Sequence, residues 1–547
     1  MNLLTANALL FASCMGDTLR WRLAARNVSN CQQRILLNLL RANADTEFGR
    51  EHGFARIASI EQYQQCVPVR GYAQFAPYIE RIAAGCPRVL TADPVTSFAV
   101  TSGSSAASKL IPYNNALLAD FQHSIAPWMA GIFSSHPGIL LGRSYWQISP
   151  LAPPAEPAAS GIPVGFGEDA EYFGPRRAQL IREGLAVNAT VAGAVETDAF
   201  FHESLTQLLA CNNLSFISIW NPSFLSLLLM QFEPSHSDFI ASLIARGQRK
   251  RARAIERLVG QYGARLDRQL ASGRTLAESI WPSLRLISCW TDAAAEEAAD
   301  RLRAFFPHVP IQPKGLIATE GIVSFPWRMR GRALALRSHF FEFIDVEQNR
   351  ESGPTLLAGQ LRAGGRYSVL LTTSGGLYRY RIGDVVEVTG HIASCPLLRF
   401  LGKEDGVVDL VGEKLNPIHV EQCGQKLFAR LGMRPEFWMI APLRQNAVPC
   451  YCLYLQSHSA VPEDLARLFD EQLRGNFHYA YAQDLGQLGP LALYRIATGA
   501  RPEEVYLLRS AGKLHRIGSL KQPRLDSRDD WFQLLPRLFC GQTPGSE

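Results

Sequence analysis

The chain has 547 residues, of which 47% are hydrophobic and 19% are charged, and its formal net charge is +6. A chain of this length can form two or more domains with a sizeable core, and the modest charge favours no particular partner, although it would suit an anionic substrate. The eleven cysteines show no CxxC pair or regular spacing, which argues against a metal or disulfide framework and indicates reduced thiols in the cytoplasm.

The N-terminal segment, MNLLTANALLFASC, superficially resembles a signal peptide that ends at Cys14. It lacks a positively charged start, and Asn7 interrupts its short apolar stretch, so an amphipathic first helix is the better interpretation. No run approaches the roughly 18 apolar residues of a membrane span. The chain is therefore predicted to be cytoplasmic, with no membrane partner.

Residues 1–90 show helical spacing of apolar residues, with helices predicted at 32–40, 57–63 and 72–84. The next predicted elements are a helix at 115–125 and a short strand at 138–141. The Pro-, Ala- and Gly-rich stretch 152–168 then predicts a surface loop. Strands predicted at 215–219, 284–289 and 311–318, with a helix at 293–305 before the last of them, indicate an α/β sheet.

A long helix predicted at 241–270 begins with a basic cluster formed by Arg246, Arg249, Lys250, Arg251 and Arg253. Glu256 and Asp267 interrupt this cluster, and no aromatic residues are interleaved with it. A solvated helix face is therefore the better interpretation than a nucleic-acid interface, and no nucleic-acid partner is predicted.

Thr101, Ser102, Gly103, Ser104 and Ser105 follow an apolar stretch and precede Lys109 by a few residues. Glycine allows close approach of the backbone, hydroxyl and N–H groups donate to phosphate oxygens, and a lysine adds a positive charge, so this pattern suits a triphosphate. The GxxxxGK[ST] spacing of a Walker loop is absent. A Ser/Thr-rich linker is the alternative interpretation.

Residues 377–390, LYRYRIGDVVEVTG, alternate in a way that predicts a β-hairpin with the tyrosines on one face and the arginines on the other. Asp384 is expected to project from a tight Gly-Asp turn. A carboxylate held there can accept two hydrogen bonds from a vicinal diol such as a ribose. The alternative is a surface hairpin in which Gly-Asp serves only as a turn.

The polar segment LRFLGKEDG, residues 398–406, separates two strand-like runs and predicts a domain boundary. The smaller α+β unit that follows includes helices predicted at 418–431 and 462–477. Near its end, LHRIGSLKQPRL places Lys521 between a Gly-Ser turn and a Pro-Arg pair, which predicts a lysine on a constrained loop. The predicted domains are residues 1–402 and residues 403–547.

These segments, in this order, resemble the Gretchen Hagen (auxin-responsive promoter) family of acyl-acid amido synthetases, within the adenylate-forming class of acyl-CoA synthetases and luciferases. LYRYRIGDVVEVTG is similar nearly letter for letter, and TSGSSAASK resembles the TSGTS-type phosphate loop of that family. GSLKQPR is similar to its Q-x-K-x-P-R element, with Ser519 at the glutamine position, and LIATEG at 316–321 resembles its acidic ATP motif. The resemblance covers essentially the whole chain.

The resemblance implies an α/β fold: a large N-terminal domain that binds ATP and an acyl acid, with β-sheets flanked by helices and a β-barrel-like part, and a smaller, mobile α+β C-terminal domain. It also implies an ATP- and Mg²⁺-dependent reaction that converts a small carboxylic acid to an acyl-adenylate with release of pyrophosphate. The acyl group then passes to the amine of an amino acid or related compound, and AMP is released. A monomer would suffice for this chemistry.

The same resemblance implies roles for individual residues around ATP. The residues from Thr101 to Ser105 and Lys109 would bind the phosphates, with Ser104 at a position where the family usually has threonine. Glu320 would hold Mg²⁺ and act in catalysis, and Thr319 would touch the α-phosphate. Leu316 stands where the family has an aromatic residue that stacks on adenine, so Trp220 or another ring is the alternative.

Asp384 would bind the ribose, and Lys403 stands where many adenylate-forming enzymes carry a ribose-contacting arginine. Asp405 would occupy the hinge between the domains, and Lys521 would act on the α-phosphate and the substrate carboxylate. Two alternatives remain open on the sequence alone. One is a ligase with a thiol acceptor, such as CoA or a carrier protein, or an alcohol acceptor, and the other is a catalytically silent nucleotide-binding homologue. The identities of the acid, the amine and the base that deprotonates the amine do not follow from the sequence.

Overall fold

The computed structural model describes residues 2–101, 109–147, 158–165, 172–188, 191, 197–292, 295–346, 355–404, 406, 408, 410–411, 413, 415–443, 448–503, 505–506 and 524–536. The chain divides into two compact units, Met1–Phe400 and Leu401–Glu547. The boundary predicted between residues 402 and 403, as the place where the chain hinges, stays a prediction.

The first unit begins with helices and then alternates helices with strands. Its α-helices are α1 (Leu3–Ala24), α2 (Val28–Ala42), α3 (Glu47–Glu51), α4 (Ile60–Cys66), α5 (Tyr72–Ala83), α6 (Asn115–Ser135), α7 (Pro175–Glu183), α8 (Thr197–Ala210), α9 (Pro222–Met230), α10 (Phe232–Ala245), α11 (Arg249–Tyr262), α12 (Leu276–Ile280) and α13 (Glu296–Phe305). Many of them start as their sequences dictate: Asn114 accepts the Leu117 N–H at the start of α6, and Thr275 and Glu278 form a capping box at α12.

Within the described residues, the strands of this unit form four sheets. They are β1 (Ser97–Thr101), β2 (Lys109–Tyr113), β3 (Arg143–Trp146), β4 (Leu214–Ser218), β5 (Leu286–Cys289), β6 (Ile311–Pro313), β7 (Ile317–Ala318), β8 (Gly321–Ile322), β9 (Ser324–Pro326), β10 (Arg332–Leu334), β11 (Phe340–Asp345), β12 (Leu356–Leu357), β13 (Arg366–Thr372), β14 (Tyr380–Ile392) and β15 (Cys395–Lys403), the last of which runs into the second unit.

One sheet is parallel, in the order β3-β4-β5-β6, and the helices between its strands make the predicted βαβ rhythm. The largest sheet has seven strands in the order β12-β11-β13-β14-β15-β10-β9. The strands β1 and β2 form a two-stranded sheet, as do β7 and β8. One large apolar core lies among the N-terminal helices, α6 and the seven-stranded sheet, and a second lies around β4, β5 and the helices α8 to α13.

The second unit is smaller and is α+β. It contains α14 (Pro417–Leu431), α15 (Leu465–Leu473), α16 (Phe477–Asp484) and α17 (Trp531–Leu534), together with β16 (Phe437–Leu443), β17 (Cys450–Gln456) and β18 (Ala492–Arg495). The sheet order is β16-β17-β18, with β16 antiparallel and β18 parallel to β17. One core packs α14 and α15 against one face of this sheet, and another packs Trp531 and its neighbours against the other face.

Two secondary-structure elements predicted from the sequence differ from those observed, one at a proline and one at a glycine. The strand predicted at 138–141 is a short 3₁₀ helix, Pro137–Leu141, with proline in its first turn. The helix predicted at 241–270 is broken after α10. There Gly247 has φ +75° and the Gln248 N–H donates to the Leu243 carbonyl, the pattern of a glycine helix terminus.

The first helix is present but is not amphipathic as predicted, because large apolar side chains lie on its exposed face as well as its buried face. Among the described residues, no helix combines the length and apolar character needed to cross a membrane.

Candidate active site

The two ends of the predicted phosphate loop lie side by side. The strands β1 and β2 are antiparallel, and Thr101 is paired with Lys109. The Lys109 ammonium nitrogen lies 5.6 Å from the centre of the Tyr72 ring, and the Tyr72 hydroxyl accepts the Leu110 N–H at 2.9 Å. Ser102, Gly103, Ser104 and Ser105 lie outside the described residues, so their phosphate-binding role stays a prediction.

Thr319 and Glu320 form the two-residue turn between β7 and β8, and both are half-buried. A buried histidine contacts the strand after the turn: the Ile322 N–H of β8 donates a hydrogen bond to His339 Nε2 at 3.1 Å. A Cβ atom on Gly321 would lie 2.7 Å from that same nitrogen, so the close approach of β8 to His339 requires glycine. Because Nε2 accepts a hydrogen bond, the neutral ring carries its proton on Nδ1.

Two tyrosines from other elements contact the same turn. The Tyr113 hydroxyl, at the end of β2, donates to the Thr319 carbonyl at 2.5 Å, and the Tyr380 hydroxyl, at the start of β14, donates to Glu320 Oε1 at 3.4 Å. The structure therefore brings together the strand that carries Lys109, the turn that carries Glu320 and the strand that carries Asp384.

The hairpin predicted at 377–390 was wrong, because Tyr380–Ile392 is one continuous strand, β14. The pairing with β13 shifts between Arg381↔Leu370 and Val385↔Ser368, so three residues of β14 face one residue of β13 in a β-bulge. Gly383 has φ +75° within this bulge. The glycine that suggested a Gly-Asp turn thus allows Asp384 to be inserted into a paired strand, where Asp384 is 3% exposed.

Arg379 was predicted to share a strand face with Arg381, but it lies just before β14 begins and is 5% exposed. Its guanidinium Nε lies 3.0 Å from Glu342 Oε2, and Nη1 donates to the carbonyls of Gln64 and Val67 at 2.8 and 2.7 Å. Its φ of +49° is unusual for a residue with a side chain. These bonds hold the strained backbone just before Tyr380 in place.

Neither Leu316 nor Trp220 offers a fully open aromatic surface for adenine. The Leu316 side chain is buried in the core, and its backbone N–H donates to Ser324 Oγ at 2.9 Å. Trp220 follows the carboxyl end of β4, where its ring centre lies 4.5 Å from the ammonium of Lys314. Lys314 is itself 4% exposed and donates to Ser218 Oγ at 2.9 Å. One face of Trp220 therefore already carries a cation, which limits it as a stacking platform for adenine.

Two titratable groups lie next to β8: His339, which is fully buried, and Asp120, whose side chain is 14% exposed. Burial raises the pKa of the Asp120 carboxyl to about 8 and lowers the pKa of His339 to about 3. Asp120 Oδ2 lies 3.8 Å from His339 Nδ1. Asp120 and His339 are consequently both neutral at mildly acidic pH, where most carboxylates are charged.

Of the remaining predicted residues, Lys403 is exposed at the end of β15. Asp405 and Lys521 lie outside the described residues, so their hinge and catalytic roles stay predictions. The contacts that the sequence analysis missed are those of Tyr113, His339 and the Arg379–Glu342 pair. Only Arg379 lies within a recognised motif; no spacing rule joins Tyr113 to a turn 206 residues later.

Comparison with known proteins gives two matches to family models: the GH3 family N-terminal domain matches residues 20–311, and the GH3 family central domain matches residues 332–403. A probable indole-3-acetic acid-amido synthetase GH3.12 of Oryza sativa subsp. japonica is 24% identical, over 91% of each chain. A jasmonoyl–L-amino acid synthetase GH3.5 of the same organism is 23% identical, over 73% of this chain and 74% of its own.

Solved structures are similar over nearly the whole length. The GH3.15 acyl acid amido synthetase has a TM-score of 0.78 at 17% identity and covers 94% of each chain. A 2-hydroxyisobutyryl-CoA ligase in the postadenylation state has a TM-score of 0.52 at 12% identity, over 91% of this chain and 89% of its own. At these identities the likeness concerns the fold.

Proposed function

The chain belongs to the GH3 family, and we propose that it is an ATP-dependent, AMP-forming acyl-acid amido synthetase. The resemblance predicted from its motifs and the predicted α/β class of the adenylate-forming enzymes are both confirmed. The observation that carries the proposal is the convergence of β2, the Thr319–Glu320 turn and β14 through Tyr113 and Tyr380. These three elements bear the residues expected at the phosphates, the metal and the ribose.

In the first half-reaction, a carboxylate oxygen of the acid attacks the α-phosphorus of ATP. The new acyl–phosphate bond forms as the bond to pyrophosphate breaks, which leaves an acyl-adenylate. Negative charge builds on the phosphate oxygens, so positioning and electrostatics supply most of the catalysis. In the second half-reaction, an amine attacks the acyl carbon; the C–N bond forms, the amine nitrogen gives up a proton, and the bond between the acyl carbon and the phosphate oxygen breaks, which leaves an amide and AMP.

The residues around the Thr319–Glu320 turn fit a Mg²⁺–nucleotide complex. Mg²⁺ takes one or two carboxylates and fills its other positions with phosphate oxygens and water, and Glu320 offers a half-buried carboxylate oriented by Tyr380. The metal, when bound, would neutralise charge on the phosphates. Thr319 would contact the α-phosphate, and its backbone carbonyl, held by Tyr113, would fix that orientation. Lys109 would add a positive charge near the residues 101–105 that cradle the phosphates.

Asp384 would bind the ribose of ATP. Its carboxylate is almost fully buried and is fixed by the bulge in β14, so little conformational entropy is lost when a diol donates two hydrogen bonds to it. Lys403 would contact the same sugar, and Lys521 would bring its charge to the α-phosphate during adenylation. Asp405 would serve as the hinge of a mobile C-terminal domain, residues 403–547. The enzyme is proposed to act as a monomer in the cytoplasm.

The names of the relatives support an aryl or cyclic aliphatic acid and an amino acid as substrates, since they include indole-3-acetic acid and jasmonoyl compounds. They do not agree on one acid, so the acid must be measured. The appropriate test is ATP–pyrophosphate exchange with indolyl, aryl and aliphatic acids in the absence of an amine. Acid-dependent exchange is the expected result.

The best acid is then incubated with ATP and either amino acids or CoA. Amide formation without thioester formation supports the proposal, whereas a CoA thioester would assign the chain to the thiol-accepting ligases. Magnesium-dependent ATP binding with no exchange for any acid would favour a silent homologue. The variant Glu320→Gln serves as the inactive comparison. It removes the metal-binding charge without changing side-chain shape, and it is expected to abolish exchange.

A further inference from the structure

The outer face of α1 carries large apolar side chains from its first turn to its last, with Thr5 and Arg22 among them. Each residue turns an α-helix by about 100°, so residues 4, 15, 19 and 23 fall within about 100° of one another around the axis, with residue 9 beside them. Five large apolar side chains of this face are between 43% and 59% exposed: Leu4, Leu9, Met15, Leu19 and Leu23. The opposite face packs against α6 and α7. The fold therefore accounts for only one side of this helix.

The edges of this face are cationic. The first 44 residues contain five arginines and one aspartate. The side chain of Arg20 is 68% exposed, and Arg22 and Arg26 are exposed as well. The aspartate, Asp17, is only 12% exposed, and its carboxylate is shared: it pairs with Arg177 and Arg337 at 3.1 Å each and lies 3.6 Å from Arg20 Nη1. No exposed carboxylate of α1 offsets the arginines.

Neighbouring segments continue both properties. The 3₁₀ helix Pro137–Leu141 packs against α1, and its Leu141 is 66% exposed. Helix α7 also packs against α1, and it exposes Arg176 and Arg182 with one carboxylate, Glu183. Leu141 therefore adds exposed apolar surface on a segment adjacent to α1, and the exposed charges of α1 and α7 are net positive.

A second copy of the chain is a poor occupant of this face. A helix of 22 residues is about 33 Å long and about 10–12 Å wide, so its outer face offers roughly 350 Å². A stable protein–protein interface buries about 800 Å² per partner. In a symmetric pair the arginines would also find no carboxylate on the opposing helix. Binding to an anionic lipid surface instead sums the buried apolar area and the electrostatic attraction, and the lipid phosphates complement the arginines of this face.

We propose that the outer face of α1 docks onto the surface of an anionic phospholipid bilayer. The leucines and Met15 enter the boundary between headgroups and acyl chains, while Arg20, Arg22 and Arg26 keep their charged ends among the lipid phosphates. Binding on a bilayer differs from crossing one. The sequence predicted no membrane partner, and this surface revises that prediction. The inference is independent of the proposed ligase activity.

The test is flotation of the full-length protein with vesicles of phosphatidylcholine alone or of phosphatidylcholine mixed with phosphatidylglycerol, at low and high salt. The variant Leu19→Glu/Leu23→Glu removes the apolar contact. The matched control, Met230→Glu/Ile244→Glu, places the same charges at side chains of similar exposure, 51% and 45%, on α9 and α10. Circular dichroism confirms folding of each variant, and light scattering gives the oligomeric state of the parent protein.

We expect the parent and the control variant to float with the anionic vesicles at low salt, and the Leu19→Glu/Leu23→Glu variant to remain at the bottom of the gradient. Flotation of the parent should fall at high salt and be much weaker with phosphatidylcholine alone. An absence of parent flotation, or equal flotation of both variants, would overturn the proposal. A parent dimer that the Leu19→Glu/Leu23→Glu change converts to monomers would instead assign this face to a second copy of the chain.

Discussion

Replacing Glu342 with glutamine tests the energetic role of the buried ion pair beside Tyr380. The side chains of Arg379 and Glu342 are only 7% and 1% exposed. The change preserves shape but leaves the arginine charge without its carboxylate, and breaking a buried pair in this way costs about 3–5 kcal/mol. Because Arg379 keeps its bonds to the carbonyls of Gln64 and Val67, we expect the lower end of this range, about 3 kcal/mol.

The matched control is Glu387→Gln, which removes a carboxylate from the same seven-stranded sheet. Its partner Arg399 is 52% exposed, and Glu387 itself is 19% exposed, so this pair should contribute less than about 1 kcal/mol. Urea unfolding of both variants, followed by tryptophan fluorescence, gives the two losses in the free energy of unfolding. Equal losses below about 1 kcal/mol would refute the reasoning, since they would show that the buried arginine tolerates the missing charge.

Three further predictions concern the site. Asp384→Asn should lower kcat/KM for ATP by about 30- to 900-fold, equivalent to about 2–4 kcal/mol, because the charged acceptor of the ribose hydroxyls is lost; ATP kinetics like those of the parent would remove the assignment. Lys521→Ala should impair adenylation far more than turnover of a supplied acyl-adenylate, and equal losses in both would contradict a role confined to the first half-reaction. Burial raises the pKa of Asp120 from 3.8 to about 8, so the folded protein holds this proton more tightly than the unfolded chain. The associated stability is fully present below about pH 4 and is lost as pH rises through about 8. Asp120→Asn should therefore flatten the fall in melting temperature between those values, whereas parallel curves for variant and parent would argue against a protonated Asp120.

The sequence predicted those parts of the site that depend on neighbouring residues. The strand predicted at 311–318 does end directly before Thr319 and Glu320, because apolar runs and turn residues act locally. The bulge in β14 was not predicted because a glycine with positive φ serves a turn and a bulge equally well. Only the partner strand decides between them, and its register is a property of the folded sheet.

The contacts that orient the site depend on residues far apart in the chain. The hydrogen bond from Tyr113 to Thr319 and the pair formed by Glu342 and Arg379 each join separate elements. The inward position of Arg379 was missed for a related reason. Alternation predicts exposure for a charged residue in a strand, but here a buried carboxylate and two carbonyls satisfy the guanidinium. The apolar outer face of α1 was missed as well, because the sequence analysis predicted an amphipathic helix, and only the packing of α6 and α7 shows which face is left exposed.

Because of the bulge in β14, the orientation of the side chains that follow it depends on the number of residues in this segment more than on their identities. Ile382, Gly383 and Asp384 stand opposite a single residue of β13, so the strand carries two extra residues. Two is an even number, and side chains alternate, so Val385, Val386 and Val388 keep the core-facing or outward positions they would have without the insert. A deletion of one residue would instead turn that whole half of the strand inside out. A point substitution at Asp384 changes only the chemistry of that side chain, whereas an insertion or deletion in this segment changes which face of the sheet the following side chains occupy.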